Sequence, residues 1–109
     1  MKTYVFDIDG TICTKPQNKD YEDSLPLIAR IEKVNELFDK GNKIVFFTAR
    51  GMGRNKGNSD KCYEEFYELT NKQLILWGVK YHKLILGKPS GDFYIDDKGI
   101  KDVMFFEDE

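Results

Sequence analysis

The chain lacks several features that would place a protein in a class at once. Its 109 residues include one histidine, two cysteines (Cys13 and Cys62) and no apolar run near twenty residues. Two cysteines without paired spacing make no zinc site, and no segment is long enough to cross a bilayer. The opening residues also lack the pattern of a signal peptide. We therefore expect a cytoplasmic, soluble protein with reduced thiols and no membrane partner.

A strong charge of one sign is missing as well. Lys and Arg number 17 against 19 Asp and Glu, so the formal net charge is −2. This balance argues against nucleic acid as a partner, because long-range attraction to a polyanion needs a basic excess. One local exception is a basic cluster made up of Arg50, Arg54, Lys56 and Lys61.

The length and the apolar content indicate one small domain. Residues 1–109 leave no room for a second domain, and 40% of them are hydrophobic. A chain of this size buries roughly 60–70% of the surface that it exposes when unfolded, which is enough for it to fold alone.

Short apolar runs alternate with helical patterns along the chain. Nearly continuous hydrophobic runs are typical of parallel strands buried on both faces, and they occur at 3–8, 43–47, 83–86 and 93–95. The alternation predicts an α/β fold with a parallel sheet flanked by helices.

Two helices are predicted between these strands. The first carries apolar residues at helical spacing from Leu27 to Phe38, with Ser24 as a candidate cap and Pro26 in its first turn. The second begins near Ser59 and ends at Gly78. The tail after Val103 is expected to form a short edge strand or a frayed end.

Polar groups follow every predicted strand. Because the carboxyl ends of parallel strands share one edge of a sheet, where open α/β folds bind ligands, these groups should converge. They are Asp7 and Asp9, then Thr48-Ala49-Arg50, then Lys88, and finally Asp96-Asp97. Any one of them alone would be explained as a turn or a surface residue. The four together, in this order, indicate a site.

The residue types at this edge suit phosphate chemistry. The four aspartates supply the hard oxygen ligands that Mg²⁺ takes, whereas Thr48 and Lys88 offer a hydroxyl and an ammonium to a phosphoryl group. An ionised carboxylate beside a cation can attack phosphorus and form an aspartyl-phosphate, and a neighbouring carboxyl can act as acid and base.

These motifs resemble those of the haloacid dehalogenase superfamily of phosphotransferases. Asp7-Ile8-Asp9-Gly10-Thr11 resembles its first motif, Thr48 its second, Lys88 its third and Asp96-Asp97 its fourth. The resemblance extends from about Thr3 to Ile100, and no catalytic position departs from the pattern.

The resemblance implies a fold and an activity. It implies a Rossmann-like sheet with the first strand central and without a cap domain, since residues 11–23 match only a short flap and 49–59 only a loop. It also implies hydrolysis of a phosphate monoester with Mg²⁺ as cofactor. Capless members of this superfamily cover the site by forming a homo-oligomer, or act on large substrates.

The resemblance also assigns roles to the residues of the motifs. Asp7 is the nucleophile and Asp9 the general acid and base, while Thr48 and Lys88 hold the phosphoryl group. The metal ligands are Asp7, the backbone carbonyl of Asp9, and Asp96, with Asp97 close by.

The substrate is expected to be a small phosphorylated compound. Thr48-Ala49-Arg50 and the long loop after it are similar to small phosphatases associated with capsular polysaccharide biosynthesis, which points to a sugar phosphate. Ala49 and Arg50 would then lie against the substrate. For the Arg50 guanidinium, recognition of phosphate and a structural salt bridge remain equal alternatives.

Two other functions remain open from the sequence. The basic loop would suit a phosphatase that acts on the 3′ ends of nucleic acids, and its activity should then collapse with salt. A receiver-like module would accept phosphate on aspartate without turnover, although its acid pair and its phosphorylated aspartate occur in the opposite order along the chain.

Overall fold

The structure is a computed structural model that describes residues 1–16 and 20–108. Three parallel strands and three α-helices make up this part of the chain. The elements are β1 (Thr3–Phe6), α1 (Ile28–Asp39), β2 (Lys43–Thr48), α2 (Ser59–Leu76), β3 (Lys83–Leu86) and α3 (Asp102–Phe106). A 3-10 turn at Tyr21–Asp23 precedes α1.

The sheet has the order β1-β2-β3 with both pairings parallel. Val5 is the partner of Val45, and Phe46 is the partner of Leu84. The central strand β2 is the most buried, as the hydrophobic run predicts, because helices and neighbouring strands cover Ile44 and Phe46 completely. The predicted α/β fold, a parallel sheet flanked by helices, is therefore confirmed. Over the described ranges no cap domain covers the carboxyl edge of the sheet.

The predicted fourth strand at 93–95 is wrong. Phe93, Tyr94 and Ile95 have no ladder partner and are 85%, 54% and 94% exposed. Only six residues separate Leu86 from Phe93, whereas a parallel crossover needs a dozen or more. As a result β1 forms one edge of the three-stranded sheet rather than its centre, and Val5 is 61% exposed.

Helix α1 begins later than predicted. Ser24 does not cap it, because the Leu27 amide donates to the Ile12 carbonyl at 2.8 Å and holds this segment against the loop after β1. The helix buries Ile31 and Val34 against the sheet. The entry to α1 and the loop after β1 are thus one connected unit.

Helix α2 forms where predicted. The Asn58 side chain caps it by accepting a hydrogen bond from the Lys61 amide at 3.2 Å, and Gly78 leaves it with a φ of 74°. Its inward face buries Phe66, Thr70, Gln73 and Leu74.

The C-terminal tail forms neither of the two expected structures. It folds into α3, whose Phe105 and Phe106 rings pack against Phe6 with centroids 5.6 and 6.1 Å away. Among the described residues, no helix is both long enough and apolar enough to span a bilayer.

Candidate active site

The first wall of the site is the tight loop that follows β1. Ile8 is completely buried, and its carbonyl accepts hydrogen bonds from the amides of Thr11 and Ile12, both at 3.0 Å. The turn needs a positive φ of 80° at Gly10, a conformation that glycine adopts at little cost. Ile8 therefore anchors the loop in the core while Asp7 and Asp9 on either side face the pocket.

Asp7 is a largely buried carboxyl beside a cation. Burial raises its pKa above the ordinary value, while the positive charge of Lys88 and the backbone amide of Ile8 act in the opposite direction. Asp9 adds a smaller repulsion that also favours the protonated form. The carboxylate thus has little hydration to lose before it meets a substrate, and Lys88 favours its ionised form.

Thr48 ends β2 with its side chain 1% exposed. Its hydroxyl accepts a hydrogen bond from the Arg50 amide at 3.1 Å, so its own proton remains available to an acceptor in the pocket. Its carbonyl accepts from the Lys88 amide at 3.1 Å. This bond ties the ends of β2 and β3 together, and it brings the Thr48 and Lys88 backbones into contact at one edge.

The Arg50 guanidinium lies beneath the site with its side chain fully buried. Its Nε and Nη2 donate to the two carboxylate oxygens of Asp9, both at 2.9 Å. Its Nη1 donates to Thr70 Oγ1 at 3.1 Å and to Gln73 Oε1 at 2.5 Å. The guanidinium carbon lies 4.9 Å from the centroid of the Tyr21 ring.

These contacts occupy the donors of Arg50. The remaining Nη2 proton faces the sulfur of Cys13 at 3.9 Å. Of the two alternatives for this residue, the structure therefore shows the salt bridge, and the guanidinium offers no spare donor to a substrate. For Asp9 to transfer a proton, one of its oxygens must first leave the guanidinium.

A pocket of about 310 Å³ opens over these residues. Its lining comprises Asp7, Asp9, Lys15, Pro16, Tyr21, Thr48, Ala49 and Arg50. The structure thus brings together five of the predicted site residues, namely Asp7, Asp9, Thr48, Ala49 and Arg50. Lys15 and Tyr21 were not predicted, because they lie in a polar stretch without strand or helix periodicity.

Tyr21 and Gln73 support the pocket from outside the four motifs. The Tyr21 hydroxyl accepts from the Gly51 amide at 2.9 Å, and the Gln73 amide nitrogen donates to the Tyr21 carbonyl at 2.7 Å. The sequence held one signal for this support, since Thr70 and Gln73 put two polar side chains on the buried face of α2. Buried polar groups need partners, and Arg50 is their partner.

Lys88 is held between the site and the segment that follows it. Its ammonium lies 4.2 Å from the centroid of the Tyr94 ring, while its charge acts on Asp7. The Tyr94 hydroxyl donates to the Pro89 carbonyl at 2.6 Å and accepts from the Gly91 amide at 3.0 Å. The loop from Lys88 to Tyr94 is thereby closed on itself.

Asp96 and Asp97 are not gathered at the pocket. Both are exposed, and Asp96 Oδ1 accepts from the backbone amides of Lys98 and Gly99 at 2.6 and 2.5 Å. Within residues 1–16 and 20–108, no three His, Cys, Asp or Glu side chains come close enough to hold a metal ion. A single chain therefore does not assemble the predicted Mg²⁺ ligands, although Asp7 and Asp9 line the pocket.

The basic loop is less available than its sequence indicates. Arg50 is buried, and Arg54 pairs with Glu65 at 3.0 Å and lies 5.1 Å from the centroid of the Phe66 ring. Two of the four cations of the cluster are thus engaged within the chain, which removes support from the nucleic-acid alternative.

Cys13 lies next to the site, against the carboxylate of Asp9. Burial and the Asp9 carboxylate raise the pKa of its thiol to about 12, so the thiolate is absent at neutral pH. The thiol donates to Asp9 Oδ1 at 3.4 Å and is completely buried.

A crystal structure of a protein from Vibrio cholerae is similar to this chain over its whole length. The TM-score is 0.90, the sequence identity is 31%, and the alignment covers 100% of this chain and 90% of the other. The two proteins belong to one family. The Vibrio cholerae protein carries no functional name, so the likeness establishes fold and kinship but not a reaction. No protein-family model matches the chain, and no curated protein does.

Proposed function

We propose that the protein is a phosphatase of the haloacid dehalogenase type, which hydrolyses a phosphate monoester through an aspartyl-phosphate. The observation that carries this proposal is the arrangement around Asp7. A largely buried carboxylate lies under the influence of the Lys88 ammonium, in one pocket with the Thr48 hydroxyl and a second carboxylate, Asp9. Few reactions other than phosphoryl transfer use this combination of groups.

The proposed first step transfers the phosphoryl group to the protein. An oxygen of Asp7 attacks phosphorus and forms a new P–O bond as the ester P–O bond breaks. The leaving oxygen takes a proton from Asp9, which must first be released from Arg50 and protonated. Thr48 donates a hydrogen bond to a phosphoryl oxygen, and Lys88 balances its negative charge.

The proposed second step restores the protein. Asp9, now ionised, removes a proton from water as the water oxygen attacks phosphorus. The bond between Asp7 and phosphorus breaks, inorganic phosphate leaves, and Asp9 is again protonated. One chain does not gather the predicted metal ligands within the described residues, so both steps are carried by the side chains named above. Dependence on Mg²⁺ stays a prediction.

The substrate is proposed to be a small phosphorylated metabolite, with a sugar phosphate first. The pocket of about 310 Å³ is large enough to take a ligand of that size. Lys15, on the rim of the pocket, has no ion pair within the described part of the chain. A cation in that position favours a substrate with negative charge near its phosphate.

The test is phosphate release from a panel of phosphorylated compounds in buffer that contains Mg²⁺. The panel includes sugar, glycerol and amino-acid phosphates, nucleotides and 3′-phosphorylated oligonucleotides. Asp7→Asn should lower turnover by at least about a thousandfold, because it removes the nucleophile. Asp39→Asn, an exposed aspartate paired with Lys80, is the matched control and should keep full turnover.

Each other outcome points to a different function. Substantial turnover by Asp7→Asn would remove Asp7 from its role. Phosphate retained on Asp7 without turnover would indicate the receiver-like module. A preference for oligonucleotides that disappears at moderate salt would indicate the nucleic-acid phosphatase.

A further inference from the structure

Residues 91–100 form an exposed arm between β3 and α3. Every residue of this arm has more than a third of its surface open to solvent. The arm nevertheless contains three consecutive apolar residues, and it ends in Ile100, which is 66% exposed. A single chain rarely leaves such a segment uncovered unless it contacts something else.

The arm has the side-chain pattern of a strand with one apolar face. If it extends as a strand, Phe93 and Ile95 lie on one side of it and Tyr94 on the other, because side chains alternate along a strand. The Tyr94 ring is turned back onto Lys88 and its hydroxyl is bonded to the loop. Phe93 and Ile95, at 85% and 94% exposure, are left outward as the two most exposed side chains of the run.

The same molecule has a free sheet edge, along β1, to which a further strand could pair. β1 pairs only with β2 among the described residues, so its other edge is free, and Val5 on this strand is 61% exposed. Open edges of this kind recruit a further strand, because their amide and carbonyl groups need partners. The arm cannot fill its own chain's edge in parallel, since six residues are too few to return it to the start of the sheet.

We propose that the arm of one copy adds as a parallel strand to the free β1 edge of a second copy, and that the second copy reciprocates. Each chain has both an exposed arm and a free β1 edge. In a twofold dimer, the arm of each copy therefore pairs with the β1 edge of the other. The parallel direction keeps the sheet uniform, as sheets with strands of one direction are over-represented.

The exchange completes the site in each copy, a consequence that rests on the proposed function. After a parallel addition, Asp96 and Asp97 follow the added strand at the carboxyl edge of the partner's sheet. That edge is where Asp7 and Asp9 line the pocket and where Lys88 supplies positive charge. The four predicted carboxylates, which one chain leaves apart, then meet across the interface.

The first test measures mass in solution and needs no activity. Wild-type protein should be a dimer by analytical ultracentrifugation, and Ile95→Asp should be a monomer because it places a charge in the added strand. Ile95 is 94% exposed, so the substitution leaves the core intact. Leu76→Asp is the matched control: Leu76 is also apolar and 82% exposed, but it lies at the end of α2 and should leave the dimer intact.

The second test mixes two inactive variants after joint unfolding and refolding. If the site is shared, Asp7→Asn and Asp96→Asn should together recover about a quarter of wild-type turnover, since half of the dimers are mixed and each mixed dimer holds one intact site. A site made within one chain would give no recovery.

The two proposals fail separately. A monomeric wild type at every concentration, or an Ile95→Asp protein that stays dimeric, overturns the exchange whatever the activity. Turnover without recovery in the mixture also overturns it. A dimer that Ile95→Asp dissociates, in a protein that hydrolyses no phosphate ester, leaves the exchange standing and rejects the phosphatase.

Discussion

Two arginines hold two regions of the molecule in different ways. Arg50 lies under the pocket with a fully buried side chain and pairs with Asp9, whose side chain is 19% exposed. Arg30 lies on α1 and clamps the C-terminal region through Asp102 at 2.8 Å and Asp108 at 2.6 Å, with side chains 27% and 36% exposed. Each guanidinium also faces an aromatic ring 4.9 Å away.

The two regions differ in how well water can solvate the polar groups that remain when the arginine is lost. Around Arg50, the carboxylate and the polar partners on α2 are shielded from water, so loss of the cation strands several buried groups. Around Arg30, the two carboxylates reach solvent and can be rehydrated. The site is thus held by a buried network in which every polar group depends on Arg50. The C-terminal region is held by partly exposed ion pairs at the periphery.

The largest effect is expected from Arg50→Ala. It should lower the free energy of unfolding by about 3–5 kcal/mol, because it leaves a poorly solvated carboxylate and two buried polar groups without their partner. It should also abolish turnover, since Asp9 loses the group that orients it. Denaturant titration and phosphate release measure the two effects.

Arg54→Ala is the control for that substitution. Arg54 belongs to the same loop and also pairs with a carboxylate over a ring, yet it is 45% exposed and its partner 41%. Little change in stability is expected, because water replaces an exposed ion pair well. Equal losses from the two substitutions would show that burial is not what distinguishes Arg50.

The next effect in size is that of Arg30→Gln. Arg30 is 8% exposed and donates also to the Thr11 carbonyl at 3.0 Å, so its loss should cost about 2 kcal/mol. Turnover per folded molecule should stay within a few-fold of wild type, because Arg30 does not line the pocket. A selective loss of turnover would instead show that the C-terminal region influences the site through the contact between Arg30 and Thr11.

The same clamp predicts how stability changes in acid. Hydrogen bonds from Arg30 lower the pKa of Asp102 and of Asp108 below their ordinary values. The clamp therefore stabilises the fold above about pH 4, where these carboxyls are ionised even in the unfolded chain, and the contribution is lost as the pH falls through the lowered values. Arg30→Gln should show a shallower loss of stability below pH 4 than wild type.

Much of this arrangement follows from the sequence. The hydrophobic runs at β1, β2 and β3 identify strands, and the polar residues after β1 and β2 meet in one pocket as parallel topology requires. The predicted bounds of the second helix, from near Ser59 to Gly78, also agree with α2. These features depend on local periodicity, which a single sequence displays directly.

Other features depend on contacts that no local pattern contains. The pairing of Arg50 with Asp9 joins residues 41 positions apart, and the clamp of Arg30 on Asp108 spans 78. The run at 93–95 has the composition of a buried strand, but its short connection to β3 leaves it outside the sheet of its own chain. The composition of the run indicates a strand, but the length of its connection decides whether that strand can pair within its own chain.

The smallest effect is a gain in stability from Asp7→Asn, the substitution that is proposed to abolish turnover. Burial raises the pKa of Asp7, so ionisation of this carboxyl lowers the stability of the fold. The stability associated with the protonated carboxyl is present in full below the unfolded pKa and is lost as the pH rises through the folded pKa. At neutral pH a neutral amide should therefore stabilise the fold by about 1 kcal/mol. Thermal unfolding at pH 7 and at pH 3 measures this, and the gain should vanish at the lower pH, where Asp7 is itself protonated. Asp39→Asn should show no such gain, and a destabilised Asp7→Asn protein would mean that the attraction between Asp7 and Lys88 outweighs the cost of burial.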